Sequence, residues 1–253
     1  MNILFDSMGV QVEVQDETKK RLTTWYASLD KAGFKRSFTD YKKPLGPQLA
    51  GQDVFIETTR QWADAPNTKP AIPKSVCFSY SSEDLGALQT FVANGGGVLL
   101  FTNHSVPLGQ GPYWPIFGIQ LAAALGISLV FATFNTASAT LTPASTCPPE
   151  ISKGVSKIFA LDSGGIVPNL AAGGSKGTVL VGLPNVPDQS GLGYHSSDLA
   201  FGVLYTFGKG KVIVLGHSGI LGNEGTNYPA PGQIGAGDNE TFVNNCVAYL
   251  GTK

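Results

Sequence analysis

One segment of the sequence limits the fold of this chain more than any other. Residues 82–105 read SEDLGALQTFVANGGGVLLFTNHS. A serine and two acidic residues suit the amino end of a helix, and the glycines from Gly95 onward suit its end, because glycine accepts the left-handed conformation found there. The apolar residues 98–101 then predict a strand that is covered on both faces. A helix, a glycine stop and a buried strand form the repeating unit of a parallel α/β sheet.

The same alternation of helix and strand patterns extends along most of the chain. Strands are predicted at 3–5, 34–41, 53–56, 98–101 and 211–215, and helices at 16–32, 82–94, 114–125 and 240–250. Residues 200–207 and 211–215 flank Gly208-Lys209-Gly210, a pattern typical of a hairpin. Residues 127–200 hold short strands separated by glycine and proline, which we interpret as a small inserted β region packed on the sheet. We therefore predict one α/β domain over residues 1–253.

Two of the three histidines come within three residues after a predicted strand, and a serine follows each of them. Asn103-His104-Ser105 follows the strand at 98–101, and Gly216-His217-Ser218 follows the strand at 211–215. Ligands of open α/β sheets bind beyond the carboxyl ends of the strands. These two tips therefore mark a candidate site.

Other polar residues follow the first and third predicted strands. Asp6 ends the first strand, and Thr58 and Arg60 follow the third. In a flavodoxin-like order the first strand neighbours the third, and the third neighbours the strand at 98–101. We therefore expect Asp6, Thr58, Arg60 and His104 to line one crevice, with His217 across it.

Residues 85–100 carry a resemblance to a known superfamily. Their pattern, L-x-x-L-x-x-F-V-x-x-G-G-G-V-L-L, resembles the class I glutamine-amidotransferase-like superfamily, in the branch of trehalose-utilisation-type, gliding-motility and intraflagellar-transport domains. Residues 207–216, FGKGKVIVLG, and Asp238-Asn239 before the closing helix resemble the same branch. The resemblance implies a flavodoxin-like three-layer sandwich with a mostly parallel sheet and a site at the strand tips.

The chain departs from true amidotransferases at the residues that do their chemistry. Those enzymes carry a cysteine nucleophile after the strand that here ends at Phe101, where this sequence has Asn103-His104-Ser105. The His-x-Glu pair of their triad is also missing, because Ser218 and Gly219 follow His217. We therefore predict that the chain is not a cysteine-dependent amidotransferase.

Three chemistries fit the residue types at the strand tips, and the sequence leaves all three open. Ser105 is a candidate nucleophile, with a histidine as base and Asp6 to orient it. His104 and His217, with His195 or Asp6, are candidate ligands of a divalent metal such as zinc, which would activate water. The third chemistry is acid–base work by one histidine on a small molecule. The alternative for each histidine is a hydrogen bond to the backbone at a strand end.

We interpret the chain as a small-molecule hydrolase or lyase-type enzyme that uses His104 and His217. The candidate substrate-binding residues are Arg60, Asn103, Ser218 and Glu224. Glu224 lies in the glycine-rich loop 222–237, and long loops at sheet tips often bind ligands. The expected partner is a small-molecule or carbohydrate ligand. The alternative is a non-catalytic domain of the same fold that binds a glycan or a protein.

Charge and hydropathy exclude several other classes of function. The formal net charge is -1 with 14% charged residues, which leaves no basic patch for nucleic acid. No apolar run reaches the roughly 18 residues that a membrane span needs. The first predicted strand begins at Asn2 without a leader, so we expect a cytoplasmic protein, with a leader removed beforehand as the alternative.

The three cysteines, Cys77, Cys147 and Cys246, are widely spaced and form no zinc-binding pattern. We favour three buried residues, because a free cysteine packs as a small apolar side chain. A disulfide between Cys77 and Cys147 is the alternative, since Cys246 lies in the predicted closing helix. The sequence leaves the oligomeric state open.

Overall fold

The structure, a computed structural model, describes most of the chain. The described residues are 1–7, 22–40, 42–58, 80–102, 116–136, 139–168, 177–190, 192–222 and 233–252. The strands are β1 Asn2–Phe5, β2 Lys35–Phe38, β3 Val54–Glu57, β4 Gly97–Phe101, β5 Leu129–Asn135, β6 Asp162–Ile166, β7 Thr178–Gly182, β8 Ala200–Phe207 and β9 Gly210–Leu215. The helices are α1 Thr23–Lys31, α2 Leu45–Leu49, α3 Ser82–Ala93, α4 Ile116–Ala124, α5 Pro149–Ser152 and α6 Asn239–Leu250.

All of these strands belong to one sheet, in the order β2-β1-β3-β4-β9-β8-β6-β5, with β7 also paired to β8. Strands β2, β1, β3, β4 and β9 run parallel to one another. Beyond β9 the pairs β9–β8, β8–β7, β8–β6 and β6–β5 are antiparallel. The predicted neighbours of the first and third strands are confirmed, and so is the flavodoxin-like α/β class.

The segment 127–200 contributes β5, β6 and β7 to this sheet. These strands extend the sheet by hydrogen bonds, so the inserted β region that the sequence predicts is part of the sheet itself. The reason is that β8, which is antiparallel to β9, would otherwise present an open edge of unpaired backbone groups. Strands β6 and β7 cover that edge.

Two apolar layers cover the two faces of the parallel half. One face packs on α1 and α6 through alternate residues such as Ile3, Ile56 and Leu215. The other packs on α2, α3 and α4 through the residues between them, such as Phe55 and Val214. Burial on both faces is why these strands read as continuous apolar runs in the sequence.

Helix α3 begins and ends as its sequence predicts. The Ser81 Oγ accepts a hydrogen bond from the Asp84 N–H at 3.1 Å, which caps the first turn. The Asp84 side chain in turn accepts from the Leu45 N–H at 2.7 Å and so ties α2 to α3. Gly95 ends the helix with φ +107°, a conformation that favours glycine.

The predicted hairpin connects β8 and β9. Phe207 pairs with Gly210 across the turn, and Gly208 has φ +59°. The Lys209 N–H donates to the Ala93 O at 3.0 Å, which fixes the turn against the end of α3. A Cβ at Gly210 would overlap the backbone oxygen of Val92, so only glycine fits there.

Two residues at the start of α6 hold this helix to the segment 156–159. The Asp238 carboxylate accepts hydrogen bonds from the Ser156 N–H at 2.7 Å and the Lys157 N–H at 2.9 Å. The buried Asn239 amide accepts from the Phe159 N–H at 2.9 Å and donates to the Phe159 O at 2.8 Å. The Asp238-Asn239 pair, which we call the α6 latch, is therefore structural.

The edge strand β2 is short and carries two cationic residues, Lys35 and Arg36. The Arg36 guanidinium makes two hydrogen bonds to Asp30, at 2.8 and 2.7 Å. It also lies over the ring of Tyr26, 4.5 Å from the ring centre. The Lys35 side chain is exposed.

Cys147 and Cys246 are free and buried in the layer beneath α6. Burial raises the pKa of Cys147 to about 11. Burial, together with the nearby Cys147, raises the pKa of Cys246. Both behave as small apolar residues, and Cys77, on which the alternative pairing depends, lies outside the described residues.

Candidate functional site

The carboxyl ends of β1, β3, β4 and β9 lie side by side at one edge of the sheet. Backbone hydrogen bonds continue just beyond the strands, from the Asp6 N–H to the Ile56 O at 2.9 Å and from the Thr102 N–H to the Leu215 O at 2.8 Å. We call this row of strand ends the carboxyl edge. Chain segments that are far apart in sequence meet there, as the predicted strand order requires.

The polar residues at and just beyond these strand ends are buried. Alternation along the strands directs them to the two faces of the sheet. The residues on the α2, α3 and α4 face are Asp6, Glu57 and Thr102. The residues on the α1 and α6 face are Ser7, Thr58 and His217. Burying polar and ionisable groups costs free energy, so a cluster of them at the ligand edge of an α/β sheet is a candidate functional site.

Asp6, one of the predicted site residues, is 1% exposed and held by hydrogen bonds. The Tyr80 hydroxyl donates to its Oδ2 at 2.9 Å, and Thr39 Oγ1 lies 3.5 Å from its Oδ1. Thr39 Oγ1 also accepts from the Ser7 N–H at 2.9 Å. These bonds fix the carboxyl group of Asp6 on the α3 side of the carboxyl edge.

Glu57 is a second buried acid beside Asp6, with 1% exposure. Because Phe5 pairs with Ile56, Asp6 and Glu57 occupy adjacent positions on neighbouring strands. Both continue positions that face α3, so their side chains leave the sheet on the same side. Two carboxyl groups in such a place can accept hydrogen bonds from a ligand or bind a cationic group.

His217 is placed by glycines on both sides. It has extended backbone, with φ −158°, and continues the positions of Ile213 and Leu215 toward α1 and α6. A Cβ at Gly216 would lie 2.9 Å from the Gly164 O of β6, so β6 crosses the chain closely at that point. The ring of His217 lies directly against Gly219, where a Cβ would overlap its Cε1. The side chain is fully buried.

Ser218, a predicted substrate-binding residue, is also buried. It begins a 3-10 turn, Ser218–Leu221, whose apolar residues Ile220 and Leu221 join the layer beneath α6. The turn anchors the residues that follow His217 to the core. A ligand at this point would meet a fixed backbone and not a mobile loop tip.

Two further polar side chains at or near the carboxyl edge are buried and make no hydrogen bond within the described part of the chain. They are the hydroxyl of Thr58, after β3, and the carboxamide of Gln233. The Ile234 N–H donates to the Gly222 O at 2.9 Å, which places Gln233 beside the end of the 3-10 turn that follows His217. An unpartnered buried polar group is costly, so these two side chains are suited to contact a polar ligand.

His195 differs in exposure from the buried residues of the carboxyl edge. It is exposed and precedes a 3-10 turn, Ser196–Asp198, as its predicted loop position implies. The neighbouring Tyr194 and Leu192 are exposed as well, at 36% and 49%. The Tyr194 N–H donates to Asp188 at 3.2 Å, which holds this loop to the sheet.

Several predicted site residues lie outside the described residues. They are Arg60, Asn103, His104, Ser105 and Glu224. The structure therefore places Asp6, His217 and Ser218 at one edge, and the meeting of His104 with His217 stays a prediction. Among the described residues, no group of three or more histidine, cysteine, aspartate or glutamate side chains is arranged to hold a metal ion.

Sequence reasoning missed Glu57, Tyr80 and Gln233. Glu57 had a signal, because it is the charged residue that closes the apolar strand 54–56. Nothing in the sequence marks Tyr80, because the proline-rich segment before it has no pattern that predicts where the chain returns to the sheet. Gln233 lies in a glycine-rich stretch of the sequence, where nothing marks one residue as buried.

No protein-family model matches the chain, and no curated protein sequence matches it. Solved structures do match. The mmIFT52 N-terminal domain is 13% identical, with a TM-score of 0.63 over 99% of this chain and 98% of that one. A cytoplasmic protein of Salmonella typhimurium LT2, STM1381, is 14% identical, with a TM-score of 0.60 over 99% of each chain.

A ThuA-like protein of Bacteroides uniformis is also similar in structure. It is 15% identical, with a TM-score of 0.51 over 98% of this chain and 90% of that one. At these identities the likeness concerns the fold alone. The chain therefore shares the fold of this ThuA-like protein and of the mmIFT52 N-terminal domain.

The helices give no sign of a membrane span. Within the described ranges, the longest helices, α3 and α6, have 12 residues each. None of the described helices is long and apolar enough to cross a bilayer.

Proposed function

We propose that the chain is a small-molecule hydrolase or lyase-type enzyme whose proton transfers are made by histidines at the carboxyl edge. The observation that carries this proposal is the burial of Asp6, Glu57 and His217 at the ends of β1, β3 and β9 on the carboxyl edge. A fold that needed these positions only for packing would place apolar residues there. Ionisable groups kept at the ligand edge of the sheet are instead typical of catalytic sites.

In this proposal His217 exchanges a proton with the bound substrate. Imidazole gives and takes protons near neutral pH, which suits it to general acid–base work. The Gly219 backbone beneath the ring holds it in one orientation. His104, which follows the neighbouring strand β4, is the second proton carrier or, with His217, a zinc ligand.

The acidic side of the site would orient the substrate. The Asp6 carboxylate, held by Tyr80, presents a fixed acceptor on the α3 side. The side chains of Thr58 and Gln233, which make no hydrogen bond to the described residues, offer further hydrogen bonds. Arg60, Asn103, Ser218 and Glu224 are the remaining proposed binding residues, and Ser105 is the proposed nucleophile if the reaction is acyl transfer. A small polar molecule or carbohydrate fits such a lining better than an apolar one.

Loss of turnover on changing His217 is the test of this proposal. Purified protein is incubated with a metabolite mixture and with chromogenic esters, lactones and glycosides, and consumption is followed by mass spectrometry and absorbance. The His217→Gln variant should lower kcat/KM for any compound consumed by at least about 100-fold, the usual contribution of a general acid or base. His195→Gln, which changes an exposed histidine, is the matched control and should keep full activity.

Two results would overturn the enzyme proposal. One is equal turnover by the wild type and His217→Gln at equal melting temperature. The other is binding of a compound at the carboxyl edge without any chemical change to it. Elemental analysis of the active protein tests whether His104 and His217 bind zinc. About one zinc ion per protein chain would support zinc binding, and an active metal-free protein would contradict it.

The second candidate function is a non-catalytic domain that binds a glycan or a protein. The observation that favours it is the exposed pair Leu192 and Tyr194 on the loop held by Asp188. Large exposed apolar side chains often contact a partner. If this candidate is right, Tyr194→Ala should weaken partner binding while His217→Gln leaves it unchanged, as measured by pull-down or glycan-array binding.

A further inference from the structure

Strand β2 lies at one end of the described sheet, and its neighbour in the order of strands is β1. The Lys35 N–H donates to the Met1 O at 2.9 Å, which directs the backbone groups of Lys35 toward β1. Alternate residues of a strand direct these groups to opposite sides. The N–H and C=O groups of Arg36 and Phe38 therefore point away from β1, toward the side where a further strand would add. We call this side of the strand the β2 edge.

An edge of this kind recognises an extended peptide, because its regularly spaced N–H and C=O groups can pair with those of an added strand. The side chains of β2 hold the strand in place. The Phe38 ring packs on the Phe5 ring at 5.6 Å between centroids, and two hydrogen bonds tie the Arg36 side chain to Asp30. A strand that is already ordered costs less free energy to bind than one that must be ordered first.

The sequence around β2 sets the sign of the charge that this edge presents. Residues 30–43 contain five of the 17 lysine and arginine residues of the chain and two aspartates, which gives this stretch a formal charge of +3. The whole chain carries -1. Positive charge is therefore concentrated beside β2, and electrostatic complementarity favours an acidic partner.

Lysines lie at both ends of the strand, and their side chains are exposed. They are Lys31 at the end of α1, Lys35 at the start of β2, and Lys42 and Lys43 after the strand. The Asp40 carboxylate offsets the charge of Lys43, at 3.1 Å. Lys31 and Lys35 make no ion pair within the described part of the chain, so a carboxylate of a partner can pair with them.

We propose that the β2 edge binds an extended acidic segment of a partner protein, which adds to the sheet as a further strand. The backbone of the segment pairs with the outward N–H and C=O groups of β2, and its carboxylates lie beside Lys31 and Lys35. Opposite charges on adjacent strands stabilise their pairing. This interaction needs none of the residues that are proposed for proton transfer or substrate binding at the carboxyl edge.

Three peptides of about seven residues, a usual strand length, test the proposal by NMR of the full chain. The first alternates glutamate with threonine, the second has lysine in place of glutamate, and the third has proline in place of threonine, which prevents pairing along a strand. We expect the glutamate–threonine peptide to shift the amide signals of residues 35–39 and to slow the hydrogen exchange of the Phe38 N–H. Its affinity should exceed that of the other two peptides by at least about ten-fold.

Other outcomes of this experiment would overturn the proposal. Equal binding of the glutamate–proline peptide would show attraction between charges without strand addition. Equal binding of the lysine peptide, or no shift at residues 35–39, would show that the edge does not select an acidic strand. Tighter binding of a thymidine oligonucleotide at these residues would make the partner a nucleic acid, and shifts that depend on protein concentration alone would make it a second copy of the chain.

A reversal of charge on the strand locates the bound peptide. Lys35→Glu changes an exposed side chain and should weaken binding of the glutamate–threonine peptide by at least about ten-fold at an unchanged melting temperature. Lys153→Glu, the same change at an exposed lysine after α5, is the matched control and should bind the peptide as the wild type does. Unchanged affinity in Lys35→Glu, or an equal loss in both variants, would contradict binding at the β2 edge.

Discussion

His217 depends on a neighbour that has no side chain. Its imidazole lies against the backbone of Gly219, and its own backbone follows Gly216, which β6 approaches closely. Neither glycine has a positive φ, so the requirement is for space and not for backbone freedom. The backbone at Gly219 therefore leaves the ring little room to move.

We predict that Gly219→Ala moves the His217 ring. The added Cβ would overlap the imidazole, and overpacking of this kind costs about 1–3 kcal/mol of stability. The ring signals of His217 in an NMR spectrum should shift, and those of the exposed His195 should stay. Unchanged His217 signals would show that the ring has room that the structure does not give it.

Opposite effects are expected at two glycines near α3. Gly86→Ala should raise the free energy of unfolding by about 0.5–1 kcal/mol, because alanine favours the helix and meets no atom. Gly210→Ala should lower it by at least about 2 kcal/mol, because its Cβ would overlap the backbone oxygens of Val92 and Gly96. Chemical denaturation of both variants measures the two changes, and a loss of stability in Gly86→Ala would contradict the first.

Among individual site residues, the sequence predicted those that follow apolar strands, but not those that reach the site from other segments. Asp6, His217 and Ser218 lie at the carboxyl edge because each follows, within three residues, a strand that the apolar pattern marks. Tyr80 reaches the same edge from a separate segment, through one hydrogen bond to Asp6. Such a contact depends on the path of the chain in space, which periodicity does not encode.

Among the elements, α6 is held by the α6 latch more than by its own cap. Asn239 is fully buried and bonds both backbone groups of Phe159 and the Gln233 O, the last at 2.7 Å. We predict that Asn239→Ala lowers the free energy of unfolding by about 3 kcal/mol, because it leaves buried backbone groups without partners. Thermal and urea unfolding measure the loss, and Thr241→Ala, which changes an exposed residue of the same helix, is the control for helix content.

The contribution of Asp238 in the α6 latch to the free energy of unfolding depends on pH. The N–H groups of Ser156 and Lys157 hold the pKa of Asp238 below its ordinary value. A lowered folded-state pKa stabilises the protein above the unfolded pKa of about 4, and this contribution is lost as the pH falls through the folded-state value. Asp238→Asn should remove this part of the acid sensitivity. Urea midpoints between pH 7 and pH 3 compare the two proteins, and parallel curves would contradict the prediction.

Over the whole molecule, the strand pairs of the parallel half and of the antiparallel half differ in how many residues they pair. Strands β4 and β9 share five register pairs, whereas β6 and β8 share one within the described residues, supported by the Gly164 N–H to Gly216 O bond at 2.8 Å. We predict that amides of β5 and β6 exchange with deuterium at least about ten-fold faster than those of β4 and β9. Hydrogen exchange followed by NMR tests this, and equal protection in both halves would contradict it.

The same contrast explains how far the fold could be predicted. The parallel half reads clearly because each strand is apolar throughout and each helix has a capping residue or a glycine stop. Strand β6 has the sequence DSGGI, which carries no strand pattern. It is a strand because Gly165 leaves room for Leu199 and Val130, which would lie 2.6 and 2.7 Å from a Cβ at that position. Packing between distant segments decided that element, and its local sequence did not.

The edge strand β2 bears on how copies of this protein behave at high concentration. An open strand edge invites a second chain to add to the sheet, which is the first step of aggregation. Here Lys35 extends into solvent and Arg36 is fixed by Asp30 over the Tyr26 ring. Pairing of two such edges would bring the Lys35 ammonium groups of the two copies together, so we expect β2 to add poorly to a second sheet.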